Sequence, residues 1–148
     1  MFGIFSSKAR QRKELAKSHI KSLWEIILAD EKIHEDEMNL LYEIAEGLNV
    51  GKKEVDRIRE DMDNIAFILP DTPEHQFEFI YNFTRMMMAD DDIDYREMQI
   101  CKSYAEKLGF KKNIVDELVK SVSSNVSAGN DVKETYNRLS FVIGQNRL

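Results

Sequence analysis

Residues 89–98 read ADDDIDYREM, and sixty positions earlier residues 29–38 read ADEKIHEDEM. Ala, Asp, Ile, Glu and Met hold the same places in both. Working outward at the same offset, Ile20 returns as Ile80, Ala45 and Glu46 as Ala105 and Glu106, and Leu48 as Leu108. Lys52, Val55 and Asp56 return as Lys112, Val115 and Asp116. An ungapped train of this length reads as a duplicated unit whose two copies have matching helix lengths.

Each unit predicts three helices. Ile20, Leu23, Trp24, Ile27 and Leu28 fall at i, i+3, i+4, i+7 and i+8, one broad apolar stripe. Met38, Leu41, Ala45 and Leu48 mark a second helix. Val55, Ile58, Met62 and Ile65 mark a third, ending near ILPDTP, where Pro70 and Pro73 break it. The second unit answers with Ile80, Phe83 and Met87, then Met98, Cys101, Ala105 and Leu108, then Val115, Leu118 and Val122. SSNVSAGND (residues 123–131) reads as a linker, and Val132, Tyr136, Leu139 and Ile143 predict a closing helix over approximately 131–145. No segment sustains the period-two alternation of a strand. The expected fold is therefore all-α, a compact bundle of about seven helices built from a duplicated three-helix unit. Its repeat units span approximately 15–69 and 75–125, inside a single domain 15–148 that follows a basic head, residues 1–14. Met87 and Met88 belong to its core, Met86 is the exposed member of the trio, and Cys101 is a buried, inert thiol.

Composition narrows the chemistry. At 148 residues the chain is one domain's worth, and six Gly with two Pro argue against a turn-rich sandwich or barrel. A single cysteine excludes an intramolecular disulfide and fits a reducing compartment. The N-terminal MFGIF is short and its charges follow it, the reverse of a secretory signal, so a cytoplasmic location is expected. His19, His34 and His75 are scattered, with no zinc-protease His-Glu pairing, no phosphate-binding glycine loop and no Gly-x-Ser-x-Gly. An enzyme is not expected.

Charge is unevenly spread. Residues 1–24 carry Lys8, Arg10, Arg12, Lys13, Lys17 and Lys21 against Glu14, a net of +5, while residues 25–100 carry 21 acidic and seven basic side chains, a net of −14. A basic head on an acidic body points to an anionic partner, such as an anionic membrane surface met through residues 1–21, or to association of head with body. The alternative is a plain solvated helix face. Six charges are too few for a dedicated nucleic-acid surface.

The acidic turn has two readings. Counted from Asp90 as a calcium loop, Asp92 and Asp94 stand at positions 3 and 5, but Tyr95 replaces the turn Gly and Cys101 the bidentate Glu. An EF-hand is excluded. Asp94 to Glu97 has the form of a capping box, and Glu37 serves likewise in the first copy behind a poorer cap, His34. Asp30 and Asp90 can accept turn amides, and Ile33 and Ile93 would plug the turns into the core. Asp91 and Asp92 are charges that the fold does not require. Were the two turns to meet, their carboxylates would share one face, and a hard divalent cation, calcium or magnesium, would neutralise it. A solvated acidic surface and a cation site both remain open here.

The stretches LADEKIHEDEMNLLYEIAEGLNV (28–50) and MADDDIDYREMQICKSYAEKLGF (88–110) resemble the TerB-like superfamily, which takes in the tellurite-resistance protein TerB and the N-terminal domain of the membrane-anchored co-chaperone DjlA. The family turn usually carries Asp-Gly; here Glu31 and Asp91 replace the Gly, and His34 replaces the first cap. The resemblance implies a compact all-helical, non-enzymatic interaction module, acting with other proteins and tied to metal-anion or envelope stress. Its alternative is a membrane-surface adaptor or co-chaperone accessory domain using the basic head. It further implies metal ligation at Asp30, Glu37, Asp90 and Glu97. With Asp92 and Asp94 these form the expected ligand set.

Overall fold

In a computed structural model the backbone is described for residues 2–90 and 93–145, and side chains for residues 7–90 and 93–145. The described residues form seven α-helices: α1 (Phe2–Leu28), α2 (Glu35–Gly47), α3 (Lys52–Glu60), α4 (Pro73–Met88), α5 (Tyr95–Lys107), α6 (Val115–Ser127) and α7 (Val132–Gln145). Two short 3₁₀ turns lie at Met62–Asn64 and Lys112–Ile114. The described residues contain no strand, so the all-α architecture read from helical periodicity is the one observed.

Helix ends recur at the offset of 60. Leu28 and Met88 close α1 and α4, while α2 and α5 begin at Glu35 and Tyr95 and end at Gly47 and Lys107. The two C-terminal exits match bond for bond. Val50 N–H donates to Ala45 C=O at 2.9 Å and Asn49 N–H to Glu46 C=O at 3.0 Å. Phe110 and Gly109 repeat this on Ala105 and Glu106, both at 3.0 Å. These are Schellman closures, which need a left-handed residue after the cap. Asn49 (φ 61°) and Gly109 (φ 94°) supply it.

The third elements differ. α3 stops at Glu60, short of the expected run through Ile65, and the chain then lies extended along α1, where Ile68 N–H donates to Ser18 Oγ at 2.9 Å. That bond and the packing of Ile65 and Phe67 on the core replace the missing helical turns. α6 instead runs on through Ser127, so the helix takes in SSNVS, and only residues 128–131 are left as the linker. A third Schellman closure ends it, with Gly129 at φ 84° and Asn130 N–H on Asn125 C=O at 3.0 Å. Pro73, expected as a breaker, opens α4 at its first turn, and Thr72 Oγ1 caps it by accepting from His75 N–H at 3.2 Å.

α4 is the central helix, packed against α1, α2, α5, α6 and α7. Surrounded on so many sides, it buries Met86 as completely as Met87, while Met88 is half-buried. Met86 is therefore not the exposed member of the trio: the apolar stripe shows one face, and five neighbours cover the rest. α1 enters the core at Leu15, its residues 7–14 being exposed. From there it packs on α2, α3, α4 and α5. Trp24 Nε1–H donates to Val55 C=O at 3.0 Å, and Tyr104 Oη–H to Glu25 Oε2 at 2.7 Å, tying α1 to α3 and α5. Cys101 is buried, and burial pushes its thiol up to about 12. Among the described residues no helix is long and apolar enough to cross a membrane. The side chains of Phe2, Ile4 and Phe5, and residues Asp91 and Asp92, lie outside the described set.

Candidate metal centre

The site is built from the turns that follow α1 and α4. After Leu28 the chain reverses through Glu31, held at φ 64°, with its N–H on Leu28 C=O at 3.2 Å. Asp30 Oδ1 accepts Lys32 N–H at 3.1 Å. Each next helix then opens on a buried glutamate. Glu37 Oε1 accepts His34 N–H at 3.1 Å, and Glu97 Oε1 accepts Asp94 N–H at 3.0 Å. These reach-back bonds satisfy an otherwise orphaned cap amide at the start of α2 and of α5.

The cost of that arrangement falls on the other oxygen. Glu37 and Glu97 are 0% and 1% exposed, and the Oε2 atom of each is sealed from solvent with no hydrogen-bond partner among the described residues. The packing also brings the two turns together. His34 Nε2 lies 3.9 Å from Asp30 Oδ2 and 3.6 Å from Asp90 Oδ2. Ligand-capable atoms of Asp30, His34 and Asp90 all lie within 4.8 Å of one another. An open depression of about 560 Å³ sits over them, walled further by Lys32, Glu35, Asp36 and Asp94.

Electrostatics follow from the geometry. Burial raises the Glu97 carboxyl to about 8, with Asp90, Glu37 and Asp30 adding repulsion against the relief given by the Asp94 amide. Burial likewise raises Glu37, helped by Asp90 and Asp30. Both carboxyls are thus held above the ordinary carboxylate range, because like charges in a poorly solvated space disfavour double ionisation. Asp94 is different. Its carboxylate accepts the Arg96 amide at 2.7 Å and the Arg96 Nε–H at 3.2 Å, and these bonds hold it below the usual carboxylate range.

Of the residues expected as ligands, Asp30 and Asp90 are brought together, Glu37 and Glu97 lie near enough to feel their charge, and Asp94 lines the depression while engaged as an N-cap. Asp92 lies outside the described residues. His34 joins the cluster although the sequence reading gave it only a poor capping role. The signal available was its spacing, four residues after Asp30 and hence within reach of the same turn. Ile33 and Ile93 do not plug the turns: they are 43% and 38% exposed, since the glutamates and aspartates occupy the inward positions. Chemically the cluster offers oxygen donors and one imidazole, and two nearby glutamate oxygens lack a hydrogen-bond partner among the described residues. A hard divalent cation fits that donor set.

No curated protein and no solved structure matches the chain. The family model described as "Tellurite resistance protein TerB" matches residues 2–60, which run from the first residue of α1 to the last of α3 and include Asp30, His34 and Glu37. Over these first three helices the chain is similar to the TerB family.

Proposed function

We propose that the chain is a non-enzymatic TerB-like interaction module that holds a divalent cation, calcium or magnesium, between its two acidic turns, in a role linked to metal-anion or envelope stress. The observation that carries this reading is the pair of buried oxygens, Glu37 Oε2 and Glu97 Oε2, that lack a hydrogen-bond partner among the described residues and feel the charge of Asp30 and Asp90. Leaving such acceptors unmade is costly, and like charges around them add to the cost. A divalent cation would relieve both penalties. Asp30, Asp90 and the two glutamates would hold it, with His34 at the rim, so binding would tie the α1–α2 turn to the α4–α5 turn. The recurrence of helix ends at one offset supports reading the two turns as copies of a single unit, each supplying half of the ligand set.

Thermal melts with calcium and with magnesium test this. A cation bound only by the folded chain stabilises it by about 2.7 kcal/mol at a hundredfold excess over Kd, so the wild type should melt higher in millimolar cation than in chelator. The Glu37→Gln/Glu97→Gln variant keeps a carbonyl oxygen for each cap amide. It should fold in chelator at least as stably as wild type and lose the cation response. A melting temperature unmoved by either ion, with amide NMR signals of residues 29–37 and 89–97 unchanged on titration, would sink the proposal.

A further inference from the structure

Charge on this chain is laid out along one helix. α1 leads with Lys8, Arg10, Arg12 and Lys13 and ends at the acidic turn. All eight residues from 7 to 14 are exposed, more than two helical turns, so every face of that length meets solvent. None of the four cations pairs with a carboxylate among the described residues, whereas Lys17, further along, lies 3.7 Å from Glu14 and 3.9 Å from Glu54. At the other end Glu31, Glu35 and Asp36 are exposed. Ile33, Ile93 and Tyr95, the last 75% exposed, stand in or beside the same two turns. Exposed isoleucine and tyrosine among carboxylates make a surface that an apolar-stemmed basic segment covers well, because Lys and Arg bury their stems while their charged heads meet the acids.

The two halves cannot meet within one copy. At 1.5 Å per residue, Lys13 and Lys8 lie about 25 and 33 Å along the axis from the Asp30 turn, and α1 is a continuous helix between them. We propose that the chain associates head to tail with second copies of itself, the basic N-terminal half of α1 of one copy lying across the acidic, isoleucine- and tyrosine-bearing turn face of the next. The contact is heterologous, so repetition gives open chains or a closed ring. An anionic lipid surface would neutralise the basic half alone and leave the apolar side chains of the turns uncovered. A second copy covers both ends with one contact.

The test is the mass of the full chain by sedimentation velocity, across concentration and salt, in chelator so that no cation is required. The wild type should grow in mean mass with concentration at low salt and return to monomer at high salt, as screened ion pairs do. The variant Lys8→Glu/Arg10→Glu/Arg12→Glu/Lys13→Glu should be monomeric, and so should Glu31→Lys/Glu35→Lys/Asp36→Lys, with circular-dichroism melts confirming that both fold. Mixing the two reversed variants should restore association, since an acidic head then faces a basic turn. If the turn-reversed variant fails to fold, the head-reversed one alone decides, because its substitutions touch only exposed positions. A wild type that stays monomeric at high concentration and low salt overturns the proposal. So does association that survives head reversal, and so does a monomer that binds anionic vesicles through the same four cations.

Discussion

The two acidic turns share a plan and close it differently. In the second, Asp94 caps α5 and its carboxylate is occupied by the Arg96 amide and guanidinium. In the first, His34 holds the corresponding place with extended backbone but makes no side-chain cap bond, and its imidazole faces Asp90 of the other turn at 3.6 Å instead. Glu37 and Glu97 do the same backbone work in both. The difference teaches that a cap residue which fails locally is free to act at longer range. One substitution converts a group serving its own helix into a group serving the junction between turns.

The comparison depends on the packing that juxtaposes the turns, and its removal should have the largest effect. Phe83 is fully buried on α4 and lies 5.4 Å, ring to ring, from Tyr104 of α5. Phe83→Ala should cost about 3–5 kcal/mol in denaturant unfolding and weaken any cation response, because α4 leads into the turn that carries Asp90.

A smaller effect is the pH dependence of the buried pair. The folded Glu97 carboxyl titrates near 8 against an ordinary value of 4.5. The folded state therefore binds more protons between these values, so this contribution to stability is complete below the lower one and is lost as pH rises through the upper. In chelator the wild type should lose on the order of 2 kcal/mol across this window, seen as a falling melting temperature. Glu97→Gln should be flat there, and an equally steep fall in that variant would move the cause elsewhere.

The caps themselves come next. Asp94→Ala should cost about 1 kcal/mol as a lost N-cap, with or without cation, whereas His34→Ala should cost a few tenths at most. Equal losses at the two positions would erase the contrast between the turns. A gain rather than a loss is expected from relief of backbone strain at Glu31, whose φ of 64° suits glycine. Glu31→Gly should gain about 0.5–1 kcal/mol in an unfolding titration. A loss there would show that the Glu31 side chain has work of its own.

How much of this could be read beforehand depends on the range of the forces involved. The starts of α2 and α5 were legible because caps act over three or four residues, and the glutamates that reach back to them recur at one spacing; the left-handed exits at Asn49 and Gly109 were not read. The burial of Glu37 and Glu97 was half legible: their reach-back to the cap amide was expected, but not that the second oxygen would be sealed away. The end of α3 at Glu60 was misread because Met62 and Ile65 keep helical spacing, yet the core takes them from a 3₁₀ turn and an extended segment. Met86 was misread for a related reason, since periodicity identifies an apolar face without counting the helices that will cover the others.

By itself the sequence determined an all-α chain, the positions of its helix ends around both acidic turns, a basic leader ahead of an acidic body, and a resemblance to TerB-like proteins. These rest on local hydrogen bonding, periodicity and composition, which need no knowledge of neighbours. Only the tertiary structure decided that the two turns meet, that His34 joins Asp30 and Asp90, that two glutamate oxygens are buried without partners among the described residues, and that Ile33 and Ile93 face outward. Each of those facts requires residues some sixty positions apart to be placed within a few ångströms, and it is the packing of α4 against α1 and α5 that places them.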